Sequence, residues 1–150
     1  MIKKLFCIIL CCNLSTVAMA QAVLFINAGS RAGYGNNQEL TFDINGGCRY
    51  YLRELNGPVK DSALFSIGRD QLQAFFNRAE QSGFFGLDKK YSGGAVDGAG
   101  IYISMNSAGK KHQVSLVNTD QPVINELVTL MNTMLAPHKI IINYGQFVTK

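Results

Sequence analysis

Residues Ala22 to Asn27 form a nearly unbroken apolar run of strand length, which predicts a buried β-strand. Residues Gly29 to Asn37 follow as a loop rich in residues that tolerate positive φ. Leu40, Phe42 and Ile44 then alternate with Glu39, Thr41 and Asp43, the period-two signature of a half-buried strand. Asn45-Gly46-Gly47 is a hairpin turn signal. Beyond it, Cys48, Tyr50 and Leu52 alternate with Arg49, Tyr51 and Arg53. After a second turn at Asn56-Gly57-Pro58, Val59 to Ile67 supplies a fourth strand. The first half of the chain therefore reads as an antiparallel meander.

The period then changes from two to 3.6. Leu72, Phe75, Phe76 and Ala79 make one apolar stripe at i, i+3, i+4 and i+7, with Asp70 in the first turn and Gly83 as a left-handed stop. Phe84, Phe85 and Leu87 are expected to pack beneath the sheet. Ser92 to Gly100 is read as a second flexible loop. Ile101 and Ile103, then Val114 and Leu116, alternate with polar partners on two further strands joined by Ser107-Ala108-Gly109-Lys110. A second helix is predicted to start near Asp120 to Pro122, since proline suits a first helical turn, and to stop at Pro137. Lys139 to Tyr144 reads as a last strand or an extended tail. The expected fold is α+β: an antiparallel sheet of about five to six strands, with two helices on one face.

The first twenty residues do not belong to this pattern. Lys3 and Lys4, an apolar stretch from Leu5 to Cys12, and a more polar end at Ala18-Met19-Ala20 match a secretory signal peptide cleaved before Gln21. A membrane anchor would need ~20 apolar residues, and Asn13, Ser15 and Thr16 interrupt the run. A lipoprotein needs a small residue before its cysteine, whereas Phe6, Leu10 and Cys11 precede Cys7, Cys11 and Cys12. The expected organisation is a signal peptide over residues 1–20 and a single domain over residues 21–150. The product would be periplasmic or secreted, with no stable membrane anchor after cleavage.

Removing the signal changes the composition. Of the 150 residues 47% are hydrophobic and four are cysteine, but only Cys48 lies beyond residue 20. An internal disulfide is then impossible, and Cys48 is either a buried hydrophobe or an intermolecular half-cystine. Without Lys3 and Lys4, 12 basic residues face 10 acidic ones, a formal charge of +2 in place of +4. That is too small a charge to argue for nucleic acid.

Chemistry is sparse. His112 and His138 are the two histidines, and no metal-ligand spacing, nucleophile elbow or phosphate loop accompanies them. No metal or cofactor is expected. Asp88, Asp97 and His112 are the residues from which an alternative reading, a small hydrolase or ligand-binding protein, would have to be built. Interaction surfaces are better represented. Arg31 and Tyr34 sit among small residues in the first loop, and Arg49, Tyr51 and Arg53 recur on one face of a strand. Arginine and tyrosine are the types over-represented where interfaces concentrate their binding energy. The leading expectation is a non-enzymatic protein-binding, inhibitory or immunity module whose partner is another protein of the cell envelope.

Two resemblances bear on this. The span from Gly47 to Leu135, with the aromatic exit Phe84-Phe85-Gly86-Leu87, an Asp-Gly loop, a hairpin and a proline-started helix, resembles small exported bacterial α+β proteins of unknown function. Gly29-Ser30-Arg31-Ala32-Gly33 also resembles the glycine-rich loop of emfourin-type metalloprotease inhibitors, although that pattern has Ser-Gly-Gly-Phe where this chain does not. The second resemblance implies that the Gly29–Asn37 segment contacts a protease. Neither brings a catalytic motif.

Overall fold

The computed structural model describes residues 22–30, 36–54, 57–94 and 99–144. The expected signal peptide, together with Arg31, Tyr34 and Asp97, lies outside the described residues. The strands are β1 (Ala22–Ser30), β2 (Asn36–Asp43), β3 (Gly47–Glu54), β4 (Val59–Ser66), β5 (Lys90–Ser92), β6 (Ala99–Ser107) and β7 (Lys110–Val117). Two helices, α1 (Arg69–Gln81) and α2 (Pro122–Leu135), complete the α+β fold. All seven strands form one sheet in the order β4-β3-β2-β1-β6-β7-β5.

The meander β1–β4 is present, and its turns follow from local chemistry. The Asp43 carboxylate accepts from the backbone N–H groups of Asn45 and Gly47 at 2.7 and 3.0 Å, closing the β2–β3 hairpin. The strand count differs from expectation, being seven among the described residues, and the sheet is not wholly antiparallel. β5 joins the far edge parallel to β7, with Lys90 opposite Ser115 and Ser92 opposite Val117. This three-residue strand carries no alternation of its own, because its neighbour supplies the pairing: Ser115 N–H donates to Lys89 O, and Gly93 N–H to Val117 O, both at 2.9 Å.

Both glycine-rich segments are shorter as loops than their composition suggests. Gly29 and Ser30 belong to β1, Asn36 and Asn37 to β2, and Ala99 and Gly100 to β6. Gly93 illustrates why. After β5 the chain passes so close to the end of β7 that a Cβ there would lie 2.0 Å from Asn118 O. This glycine answers to a close approach of two backbones, not to mobility.

Each helix starts and stops for identifiable reasons. The Gln71 side chain accepts from Gly68 N–H at 3.2 Å at the start of α1, and Gly83 takes φ +86° just beyond its end, the left-handed conformation glycine adopts without steric cost. At α2 the Gln121 side chain accepts from Val123 and Ile124 N–H, and Pro122 occupies the first turn. The predicted stripe Leu72, Phe75, Phe76 and Ala79 is buried. It joins Leu24, Ile26, Leu40, Phe42, Ile103 and Leu116 of the sheet, with Leu127 and Met131 of α2, in one core. Arg78 pairs with Glu126 between the helices, and Lys110 with Glu80 ties the β6–β7 hairpin to α1.

Residues Lys139 to Tyr144 take the tail alternative, since none of them is in a strand. Ile140, Ile142 and Tyr144 are nevertheless buried in the core. Phe84, within the 3-10 turn Phe84–Gly86 that follows α1, is fully buried as expected. Replacing Phe84 with Ala should lower stability by about 3–5 kcal/mol, the usual cost of emptying a phenylalanine site. Ile44, which is 66% exposed, should tolerate Ala within about 0.5 kcal/mol. Urea unfolding of the two variants compares them directly.

Candidate functional site

Strand alternation divides the sheet into a covered face and an open one. The cross-strand register aligns Leu64, Arg49, Thr41, Phe25 and Ser104 in one row across β4, β3, β2, β1 and β6. The next row aligns Ser62, Tyr51, Glu39, Asn27 and Tyr102. None of these side chains is buried. The opposite face carries Cys48, Tyr50, Leu40 and Ile26, which are. The two tyrosines at positions 50 and 51 therefore part company, Tyr50 to the core and Tyr51 to the open side.

On the open face Arg49, Tyr51 and Arg53 share one side of β3. The Arg53 guanidinium carbon lies 5.1 Å from the centre of the Tyr51 ring, within cation–π range. Its Nε stands 3.6 Å from Glu39 Oε2. With both partners about a third exposed, this ion pair orients the guanidinium more than it stabilises the fold. Arg49 is exposed beside Leu64, which is 79% exposed. Toward the sheet centre, Phe25 and Tyr102 meet edge to face with ring centres 5.9 Å apart, and the Tyr102 hydroxyl donates to Gln113 Oε1 at 3.0 Å. Lys90 and Lys111, on the open-facing register of β5 and β7, are exposed. Asp43 is engaged in its turn and Glu39 faces Arg53, so positive charge predominates here.

Phe25, Tyr102, Leu64 and Glu39 were not singled out from the sequence. Tyr102 was findable, because it alternates with the inward Ile101 and Ile103. Phe25 was hidden in an unbroken apolar run, and its neighbour Tyr102 comes from a strand 77 positions further along the chain, paired through Asn27↔Tyr102.

Of the alternative polar residues, His112 and Asp88 are described, and each is engaged with a neighbouring segment. The His112 Nε2–H donates to Leu87 O at 2.9 Å, and the ring meets Phe84 edge-on at 5.5 Å. This histidine fastens the 3-10 turn to β7. Asp88 is exposed, with its backbone N–H donating to the Tyr91 hydroxyl at 3.0 Å. His138 stacks on Phe65 with ring centres 4.0 Å apart. Among the described residues no group of three or more His, Cys, Asp and Glu side chains is placed to hold a metal ion. A cleft of about 350 Å³ between the start of α1 and the β6–β7 turn is lined by Ile44, Arg69, Asp70, Gln73, Asn106 and Ser107 among others. The chain matches no protein-family model and no curated protein sequence.

Behind the open face, Cys48 is unpaired and buried. Burial first, and then the Asp43 carboxylate, pushes its thiol up from 9.0 to about 12. Burial and then Asp120 raise the Tyr144 phenol from 10.0 to about 12. In the unfolded chain both groups ionise earlier than in the folded one. Their contribution to stability is thus complete below pH 9 and is lost as pH rises toward 12. Denaturation midpoints between pH 8 and 11 should fall, and Cys48→Ala should flatten the slope. At pH 8 a disulfide-exchange reagent should label native Cys48 at least ~10-fold more slowly than the unfolded chain, since the thiolate is the nucleophile.

Proposed function

We propose that this chain is a non-enzymatic protein-binding module, exported to the envelope, which holds an acidic protein partner against the open face of its sheet. An inhibitory or immunity role follows from this mode, because a small module of this kind acts by occupying a surface of its partner. The reading is carried by one juxtaposition. Arg49, Arg53, Tyr51 and Leu64 stand together on β3 and β4, with Phe25 two strands and Tyr102 three strands beyond β3. Rigid aromatic rings supply apolar area at little cost in conformational entropy, and arginines add directional bonds to carboxylates. Sheet-borne side chains are also held more firmly than loop-borne ones, which favours binding without large rearrangement.

The partner chemistry follows from charge. Arg49, Lys90 and Lys111 outnumber the carboxylates left on this side, so a surface rich in Asp and Glu would be steered toward it and oriented on it. The Gly29–Asn37 segment, which carries Arg31 and Tyr34, is a second candidate contact in the same reading.

Affinity capture of partners from envelope extracts, followed by titration of the captured protein, tests the proposal. The triple variant Arg49→Ala/Tyr51→Ala/Arg53→Ala should bind at least ~10-fold more weakly, about 1.4 kcal/mol, with a shallower salt dependence. Arg31→Ala/Tyr34→Ala reports separately on the loop. Unchanged affinity in the triple variant would remove the open face from the interface. Saturable binding of a single-stranded oligonucleotide that the triple variant abolishes would replace the protein partner with a nucleic acid.

A further inference from the structure

The segment Ile140–Tyr144 sits in the fold as a bound peptide would. Its side chains alternate strictly: Ile140, Ile142 and Tyr144 are buried at 6%, 2% and 4% exposure, while Ile141 is 67% exposed and Asn143 is exposed. That is the pattern of a strand, yet the segment joins no sheet ladder. Two side-chain amides replace the ladder. Gln38, at the start of β2, donates from Nε2 to Ile141 O at 2.6 Å and accepts from Asn143 N–H at its Oε1 at 2.8 Å. Asn132 of α2 accepts from Ile142 N–H at 2.8 Å and donates to Ile142 O at 3.0 Å. The Tyr144 hydroxyl reaches the Asn125 side chain.

The groove therefore reads backbone from both edges and side chains at every second position. That division of labour is how proteins recognise extended peptides, with main-chain bonds giving affinity and alternate pockets giving selectivity. No contact in it requires covalent continuity with α2. The connection is Ala136-Pro137-His138-Lys139, where Lys139 holds φ +58° in a left-handed conformation that disfavours a residue with a Cβ.

We propose that the groove between β2 and α2 is an exchangeable binding site for an extended peptide of the form aliphatic-x-aliphatic-x-tyrosine, and that residues 140–144 fill it in cis until a partner's segment of that form replaces them. The tethered segment has an effective concentration of order millimolar, so a free peptide competes only when the tail is weakened or the competitor is abundant. This site is independent of the open face, which lies on the other side of the sheet.

The full-length chain carrying Ile142→Asn is titrated with a fluorescent peptide of sequence Lys-Ile-Ile-Ile-Asn-Tyr. Saturable binding, at least tenfold tighter than to Ile-Ile-Asn-Lys-Tyr-Ile, which has the same residues without the alternation, is expected, and Gln38→Ala/Asn132→Ala added to the variant should abolish it. No difference between the two peptides, or binding indifferent to Gln38 and Asn132, overturns the proposal. Should Ile142→Asn fail to fold, amide exchange in the wild-type chain decides. The Ile142 and Asn143 N–H groups should exchange at least tenfold faster than those of Leu127 to Met131, whereas equal protection makes the segment an inseparable part of the core and ends the proposal. A concentration-dependent wild-type dimer that exchanges tails reciprocally would assign the groove to a second copy instead of a partner's peptide.

Discussion

A sheet of seven strands is about 29 Å across, at ~4.8 Å for each inter-strand step. A pair of packed helices, with axes 8–10 Å apart, covers roughly 20 Å of it. The apolar side chains of the covered face therefore extend past both helices, and something else has to exclude water there. On the β7 side the 3-10 turn after α1 does this, with Phe84 fully buried and His112 fixed to Leu87 O. On the β2–β4 side His138 lies over Phe65, and the segment Ile140–Tyr144 continues beneath Gln38 and Tyr50. Both irregular pieces consequently cover the core, and their few hydrogen bonds carry unusual weight, because each secures a buried edge.

The two faces of the sheet answer to different demands. The covered face is filled by aliphatic and aromatic packing, with Cys48 among the buried residues as a small apolar group. The open face is built of side chains that combine a large apolar body with a polar tip, such as Tyr51, Tyr102 and Arg53. Their arrangement in pairs, ring on guanidinium and ring on ring, limits their conformational freedom before any partner arrives. Pre-ordering of this kind lowers the entropic cost of association.

Local signals made much of this legible. The alternation in β2 and β3, the apolar stripe of α1 and the proline at the start of α2 each act within a few residues, and each corresponds to its element. Arg49, Tyr51 and Arg53 share a face for the same local reason. What the sequence did not disclose depends on distant partners. β5 is a strand because β7 pairs with it, and Phe25 stands against Tyr102 because β6 lies beside β1. The clasp on the tail joins positions 103 and 105 apart in the chain, and nothing near Gln38 or Asn132 announces it. Glycine was the least reliable signal. In both loops it marked close backbone approach as much as turning.

The register shift between Leu52 and Arg53, where β3 meets β4, has a bearing beyond local geometry. β4 is one of the two edge strands, it is eight residues long, and Val59 and Leu64 on it are exposed. A straight edge of that kind is a template on which another chain can add its own strand. The extra residue of this bulge is Lys60, on β4 itself, where it sharpens the twist of the margin, and Lys60 and Asp61 place opposite charges along it. A flat incoming strand would meet a curved rim that demands matching charges. The irregularity thus serves the molecule in concentrated solution, by making uncontrolled lateral growth of the sheet unfavourable while leaving the broad face beside it accessible.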